Sequence, residues 1–445
     1  MARLEDVSGE AWSAMDELRV PGVVIGVVAG DEEEVVCRGV TSLDNPLPVT
    51  PETLFQIGSI GKTYVAAAIV HLVERGQLEL DVPVRTYIPD LALADEDAAA
   101  RATVRHLLTH TGGWVGDVFE DFGRGDDALA LMVGRLADVP QLTPLGEVWS
   151  YNNAGFAIAG RVIETVTEKP FEAAMRDLVL APLGLGRSFY FPEEVMTYRF
   201  AVGHIRERNE RPVVAREWWI GRASHAAGGI TCSLGDLLRY AQFAFDGSPL
   251  LAPESFAELR RPQVPVGGAV DAVGLAWMLR ELDGVQLISH GGGTNGQVSW
   301  LCVAPDQRFA VAVLTNHEYG GVVIERLREP VLQAYLGIRD PEPRPLSVEP
   351  DRLAEYAGLY TSWMADAEVA VSGAELEVRL TQKRGFPTPE SQIRPPPPPG
   401  RFLFYDEDWV FAHEGVWRGE RAGFLRGPDG RIEWFQLGGR VYARA

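Results

Sequence analysis

Phe55-Gln56-Ile57-Gly58-Ser59-Ile60-Gly61-Lys62-Thr63-Tyr64 runs without a break into Val65-Ala66-Ala67-Ala68-Ile69-Val70-His71-Leu72-Val73-Glu74. The second segment carries Ala, Ile, Leu and Val at helical spacing, and the pattern predicts a buried helix over residues 60–74. Ser59 then stands at the start of the helix, where backbone N–H groups lack partners and the dipole is positive. Lys62 follows one turn later on the same face. A hydroxyl beside an amine at the positive end of a helix is the pattern of an activated nucleophile. Read alone, the same four residues are an N-cap and a surface lysine, so the rest of the chain has to decide.

Before this stretch, apolar spacing from Leu4 to Leu18 predicts a helix, and Gly22 to Val28 and Val35 to Val40 predict a hairpin. After it, Thr103 caps a short helix that Thr111-Gly112-Gly113 breaks. Helices are predicted over residues 154–167, 171–180 and 234–245, with Ser233 and Asp236 resembling a capping box. Residues 187–225 are irregular, and Trp218-Trp219 within them reads equally as core filling or as the wall of a substrate pocket. Three apolar runs, residues 286–289, 298–303 and 309–314, predict adjacent antiparallel strands.

Arg339-Asp340-Pro341-Glu342-Pro343-Arg344-Pro345 alternates proline with polar residues and reads as a stiff linker. Beyond it, short alternating runs such as Leu376 to Leu380 and Ile432 to Phe435 predict a small β-barrel or sandwich. Pro395 to Pro399 must be a loop within it. The organisation expected is residues 1–338, a linker over 339–349, and a second domain over 350–445.

Composition narrows the function. The chain has 445 residues, 46% of them hydrophobic, and a formal net charge of -21. That acidity opposes nucleic acid and anionic lipid, so neither nucleic acid nor membrane is expected as a partner. Cys37, Cys232 and Cys302 are too few and too scattered for a disulfide framework or a zinc site, and they read as buried thiols. His106 and His110 lack the Glu of the helical zinc signature and read as structural histidines bonded to loop backbone. No cofactor and no metal are expected. The first residues show no export signal and no run is long enough to span a membrane, so a cytoplasmic protein is expected.

Two more sites join Ser59 and Lys62. In Trp149-Ser150-Tyr151-Asn152-Asn153, Tyr151 and Asn153 are two apart and point the same way in an extended segment. A phenol near a lysine ammonium has its pKa lowered, and an Asn amide holds an amine and a substrate carbonyl at once. In Ser289-His290-Gly291-Gly292-Gly293-Thr294, the glycines let a substrate backbone approach a strand edge. Their N–H groups, with that of Ser59, form an oxyanion hole, and His290 adds a polar or cationic group.

Ser59-Ile60-Gly61-Lys62, Tyr151-Asn152-Asn153 and His290-Gly291-Gly292, in that order, resemble the three motifs of the penicillin-recognising serine hydrolases, most nearly the class C β-lactamase-like group. The resemblance takes in Thr103 to Gly113 and Gly228-Gly229-Ile230 and covers about residues 5–335. It implies an α+β fold: an antiparallel sheet flanked by helices, with an all-helical region. The run Leu353 to Tyr360 is similar to the start of lipocalin-like barrels appended to D-aminopeptidases, esterases and penicillin-binding-protein-type thioesterases. Such barrels shape the acyl cleft.

The resemblance implies catalysis by Ser59, Lys62, Tyr151, Asn153 and His290, an oxyanion hole from Ser59 and Gly293, and substrate contacts from Gly291, Gly292, Thr294, Trp218 and Trp219. The expected activity is a hydrolase or acyltransferase acting through a Ser59 acyl-enzyme on esters or on amides with D-residues. A thioesterase that macrocyclises a peptide from a peptidyl carrier protein is the second expectation, and a non-catalytic binding protein of the same fold is the third. The substrate expected is a small-molecule or peptide acyl compound. One departure is His290 where a lysine would hold the carboxylate of a β-lactam, which counts against efficient β-lactamase action.

Overall fold

The computed structural model describes residues 3–206, 211–218, 220–393 and 395–445. An eight-stranded antiparallel sheet forms the frame of the larger domain. Its order is Glu32–Gly39, Gly22–Ala29, Phe309–Thr315, Val298–Ala304, Val285–Gly293, Met278–Leu282, Val270–Val273 and Val264–Gly267. The hairpin read near the N-terminus thus pairs with the last of the three strands read near residue 310, Val23 facing Thr315 and Ala29 facing Phe309.

Alternation along these strands separates two cores, because successive side chains leave opposite faces of a sheet. Val23, Ile25 and Val27 pack with Leu4, Met15 and Leu327. Val24 and Val28 pack on the other face with Leu234, Leu237 and Leu238 of the helix Leu234–Asp246. Behind that helix lies the all-helical region, gathered about Gly61–Glu74, whose residues from Gly61 to Val70 are all buried. The α+β class follows from this layering.

The smaller domain is a closed antiparallel barrel of eight strands running from Gly358–Thr361 to Arg440–Arg444. Tyr356, Tyr360, Phe402, Phe404, Phe424 and Phe435 fill its interior. Residues 395–399 lie in the long connection between Glu375–Gln382 and Gly400–Phe404. Asp340, between the helix Gly320–Leu336 and the barrel, accepts from Arg280 of the large sheet at 2.9 Å and from Arg421 of the barrel at 3.4 Å, which ties the two together.

Several local expectations change. The first helix is two, Leu4–Val7 and Gly9–Leu18, broken where the Ser8 hydroxyl donates to the Leu4 carbonyl at 2.7 Å. The Phe171 segment is α-helical to Met175 and π-helical from Arg176 to Leu180. Asp236 is no partner in a capping box: its carboxylate takes the Arg187 N–H at 2.7 Å and the Ser188 hydroxyl at 2.9 Å. Cys37 is exposed, because it lies on Glu32–Gly39 at the sheet edge; Cys232 and Cys302 are buried. Among the described residues no helix is long and apolar enough to cross a membrane.

Candidate active site

Ser59 lies in a single 3₁₀ turn, Gly58–Ile60, just ahead of the helix Gly61–Glu74. Its hydroxyl caps neither element. The turn is pressed against the glycine strand: a side chain on Gly292 would come within 1.9 Å of the Ile57 carbonyl, and one on Gly58 within 2.7 Å of the Gly293 nitrogen. Gly292 therefore admits the chain's own backbone, where the sequence had pointed to a substrate's. Gly291 and Gly293 are exposed. Val285–Gly293 pairs with Met278–Leu282 only as far as Ser289, so the edge from His290 to Gly293 has no strand partner on that side among the described residues.

Lys62 is buried completely, so it is no surface lysine. Its Nζ meets Ser59 Oγ at 3.0 Å, Asn153 Oδ1 at 2.7 Å and the Ala227 carbonyl. Two of these partners are carbonyl oxygens, which only accept. The third is a hydroxyl, which also donates. The set serves an ammonium that donates to all three, and equally a neutral amine whose lone pair takes the hydroxyl hydrogen. Burial favours the neutral form, holding the pKa of Lys62 well below the ordinary 10.5; the Arg440 guanidinium adds to the effect and Asp117 partly opposes it.

Tyr151 and Asn153 come from the start of the helix Asn153–Thr167. Asn152, between them, is the N-cap, accepting the Gly155 N–H at 2.7 Å. The Lys62 amine stands over the Tyr151 ring, 4.9 Å from its centre. The phenol corrects an expectation: burial pushes its pKa up, although Ser59 and Arg440 pull the other way. Its oxygen is buried and makes no hydrogen bond of normal geometry among the described residues, though the Ser59 hydroxyl is near enough to act on its titration. His290 is buried and its pKa falls to about 3, through burial and then Lys62. The ring is neutral at ordinary pH, so it supplies a polar group and no cation.

Two residues extend the site beyond the motifs. Asp117 accepts from Asn153 Nδ2 at 2.6 Å, which fixes the orientation of that amide and aims Oδ1 at Lys62. Arg440 donates to the other Asp117 oxygen at 3.1 Å and lies 4.8 Å from the centre of the Tyr151 ring. Burial works against the charge on Arg440, but Asp117 outweighs it. Arg440 belongs to the barrel. It follows the hairpin turn Gly438-Gly439, whose φ angles of 56° and 74° favour glycine at both places. The Gly439 carbonyl takes the Tyr151 N–H at 2.8 Å, so the turn docks onto the site.

Trp218 lines a cavity of about 510 Å³ with Phe191, Val195, Phe200, Ile220 and His225. The Trp218 carbonyl accepts from the Gln56 side chain, three residues before Ser59. His225 stands two residues before Ala227, the partner of Lys62. Thr294 closes the turn after the glycine strand, its N–H donating to the Gln297 carbonyl at 2.9 Å. Trp219 lies outside the described residues. Among the described residues no group of three His, Cys, Asp or Glu side chains is placed to hold a metal ion.

The profile of the family described as Beta-lactamase matches residues 12–336. Penicillin-binding protein 4 of Amycolatopsis lactamdurans is 34% identical over 355 residues, 75% of this chain and 92% of that protein. Esterase EstB of Burkholderia gladioli is 30% identical over 369 residues, 72% and 91% of the two chains. The crystal structures of SurE, alone and with D-Leu, match with TM-scores of 0.78 and 0.75 at 26% identity, each covering 99% of both chains, barrel included.

Proposed function

The chain belongs to the Beta-lactamase family, and from that premise we propose that it is a serine hydrolase or acyltransferase working through an acyl-enzyme on Ser59. The observation that carries the reading is the buried Lys62 amine, 3.0 Å from Ser59 Oγ and held by the Asn153 Oδ1 and Ala227 carbonyl acceptors. Ser59 Oγ attacks the carbonyl carbon of an ester or amide while its proton passes to Lys62. The N–H groups of Ser59 and Gly293 receive the oxyanion. As the C–O or C–N bond breaks, Tyr151 gives its proton to the leaving group and regains one from the Lys62 ammonium. A phenol held protonated by burial suits the donor's part better than a base's. Water or an amine then takes the acyl group from Ser59.

The Trp218 cavity, walled by Phe191, Val195, Phe200 and Ile220 with Asp121, Arg124, Arg216 and Arg222 also in its lining, suits a bulky, mainly apolar side group with a polar end on the acyl part. The match to SurE with D-Leu along the whole chain supports a D-residue there. The test is intact mass and product analysis after incubation with a fluorophosphonate, a p-nitrophenyl ester and a peptidyl thioester ending in a D-residue. An adduct on Ser59 is expected. No adduct from any of the three would overturn the reading. A cyclic product assigns the acyltransferase, and a linear acid the hydrolase.

Arg440 gives the reading a second handle. Arg440→Gln removes a cation that lowers the pKa of Lys62 and leaves Asp117, which raises it, without its counter-charge. Both changes act in one direction. The acid limb of kcat/KM should move to higher pH, and each unit of movement costs about tenfold in rate on the acid side. A pH–rate profile of the variant checks this; a limb that stays in place or moves to lower pH removes Arg440 from the account.

A further inference from the structure

Three consecutive backbone N–H groups hold Tyr151 in place. That of Ser150 goes to the His110 carbonyl at 3.0 Å, that of Tyr151 to the Gly439 carbonyl at 2.8 Å, and that of Asn152 to His110 Nδ1 at 2.9 Å. The first and third point to one side and the second to the other, as in a strand. On one side both acceptors belong to a single residue. His110 thus grips the chain immediately before and after Tyr151, with its main chain and its side chain. Its ring also stacks on the Tyr151 ring, centres 4.4 Å apart and planes 25° from parallel. Phe156 packs on the imidazole at 5.2 Å, and Trp149 meets it edge-on at 6.2 Å.

The protonation of His110 is set by this arrangement. Nδ1 accepts, so the neutral ring carries its hydrogen on Nε2. A protonated ring would turn Nδ1 into a donor facing the Asn152 N–H. Burial, then Lys62, His290 and Arg440, hold the pKa well below the ordinary 6.5. The backbone is adapted as well: His110 has φ of 58°, a left-handed conformation that a non-glycine residue adopts at a cost. The conformation closes the short helix Val104–Leu108, the Thr111 N–H reaching the His106 carbonyl at 3.1 Å and the His110 N–H the Leu107 carbonyl at 3.5 Å. The same conformation brings carbonyl and ring to one stretch of chain.

We infer that His110 is the positioning residue of the proton donor: it sets the phenol of Tyr151 over Ser59 and Lys62 by bonding the chain on both sides of it and stacking beneath it. The inference rests on the donor role proposed for Tyr151. It separates His110 from a residue that merely stabilises the fold, because only departure of the leaving group depends on where the phenol stands. A fluorophosphonate expels fluoride and a p-nitrophenyl ester expels a stable phenolate, so neither needs the donor; an alkyl ester does.

Two substitutions that suit the left-handed backbone make the test. His110→Gly removes ring and acceptor together. His110→Asn keeps an acceptor at the position of Nδ1 and loses the stack. Rates would be measured for fluorophosphonate labelling and for the p-nitrophenyl and ethyl esters of one acid, with a thermal melt of each variant. His110→Gly should lose about 10²-fold in kcat on the ethyl ester, with KM within a few-fold, and far less on the other two probes. His110→Asn should recover a large part of that loss. Equal losses on both esters, no recovery by Asn, or failure of both variants to fold would overturn the inference while the acyl-enzyme reading stood. A wild-type chain that takes no label would overturn both.

Discussion

Ser59→Ala should lower kcat by about 10⁶-fold, the scale on which loss of a nucleophile is felt when its partners remain. Among the described hydrogen-bond partners of Lys62 Nζ, the hydroxyl is the one with a proton to give, and the two carbonyl oxygens beside it have none. Alanine removes the attacking atom and leaves the base with nothing to act on. The fold should not register the change. The hydroxyl caps neither the 3₁₀ turn nor the helix after it, and the residue is half-buried, so stability should stay within about 0.5 kcal/mol. Fluorophosphonate labelling followed by intact mass, with a thermal melt alongside, reads both outcomes. A labelled, active alanine variant would place the nucleophile elsewhere.

Lys62→Met should cost about 10³–10⁴-fold in kcat/KM, the upper range for a positioned base. Its signature in stability depends on pH, and the sign can be worked out. Folded Lys62 has its pKa held well below 10.5, so between that lowered value and 10.5 the unfolded chain holds a proton that the folded chain has lost. Stability of the wild type therefore rises with pH across this window. Methionine has no proton to exchange and removes that part of the slope. The Asn153 and Ala227 oxygens then lack a donor, at about 1–3 kcal/mol each. That cost is nearly independent of pH, so the variant gains on the wild type as pH falls towards the lowered pKa. Chemical denaturation at several pH values measures it; parallel profiles would mean that Lys62 is charged in the folded protein.

Much of this was legible in the chain. The helix after Ser59, the hairpin at Gly22 and the strands near Val298 and Phe309 announce themselves because their apolar spacing has one period and their turns carry glycine or proline. The strands Val264–Gly267 and Val270–Val273 did not, being short and partly exposed at the sheet edge. Tyr151-Asn152-Asn153 both opens a helix and approaches Lys62, through different residues. Asn152 caps, and its neighbours face Lys62. Asp117 carried no signal, since one aspartate after a glycine-rich break is common. Arg440, after a Gly-Gly turn, carried no signal either, and only the docking of the barrel discloses what it faces. The state of the phenol is not legible in the sequence, because its burial, which outweighs its neighbours, is set only by the fold.

The Gly438-Gly439 turn has a consequence for the order of synthesis. Nucleophile, lysine, tyrosine and glycine strand are all encoded before residue 300, whereas Arg440 comes 323 positions after the aspartate it holds. A nascent chain emerging from the ribosome presents the large domain first. Until the barrel closes and its last hairpin docks, Lys62 lacks the cation that adds to burial in lowering its pKa, and the Tyr151 N–H lacks its acceptor. On the proposed mechanism, a chain truncated before this hairpin should be labelled at Ser59 more slowly than the full chain, so the crowded surroundings of translation would meet it before its reactivity is complete.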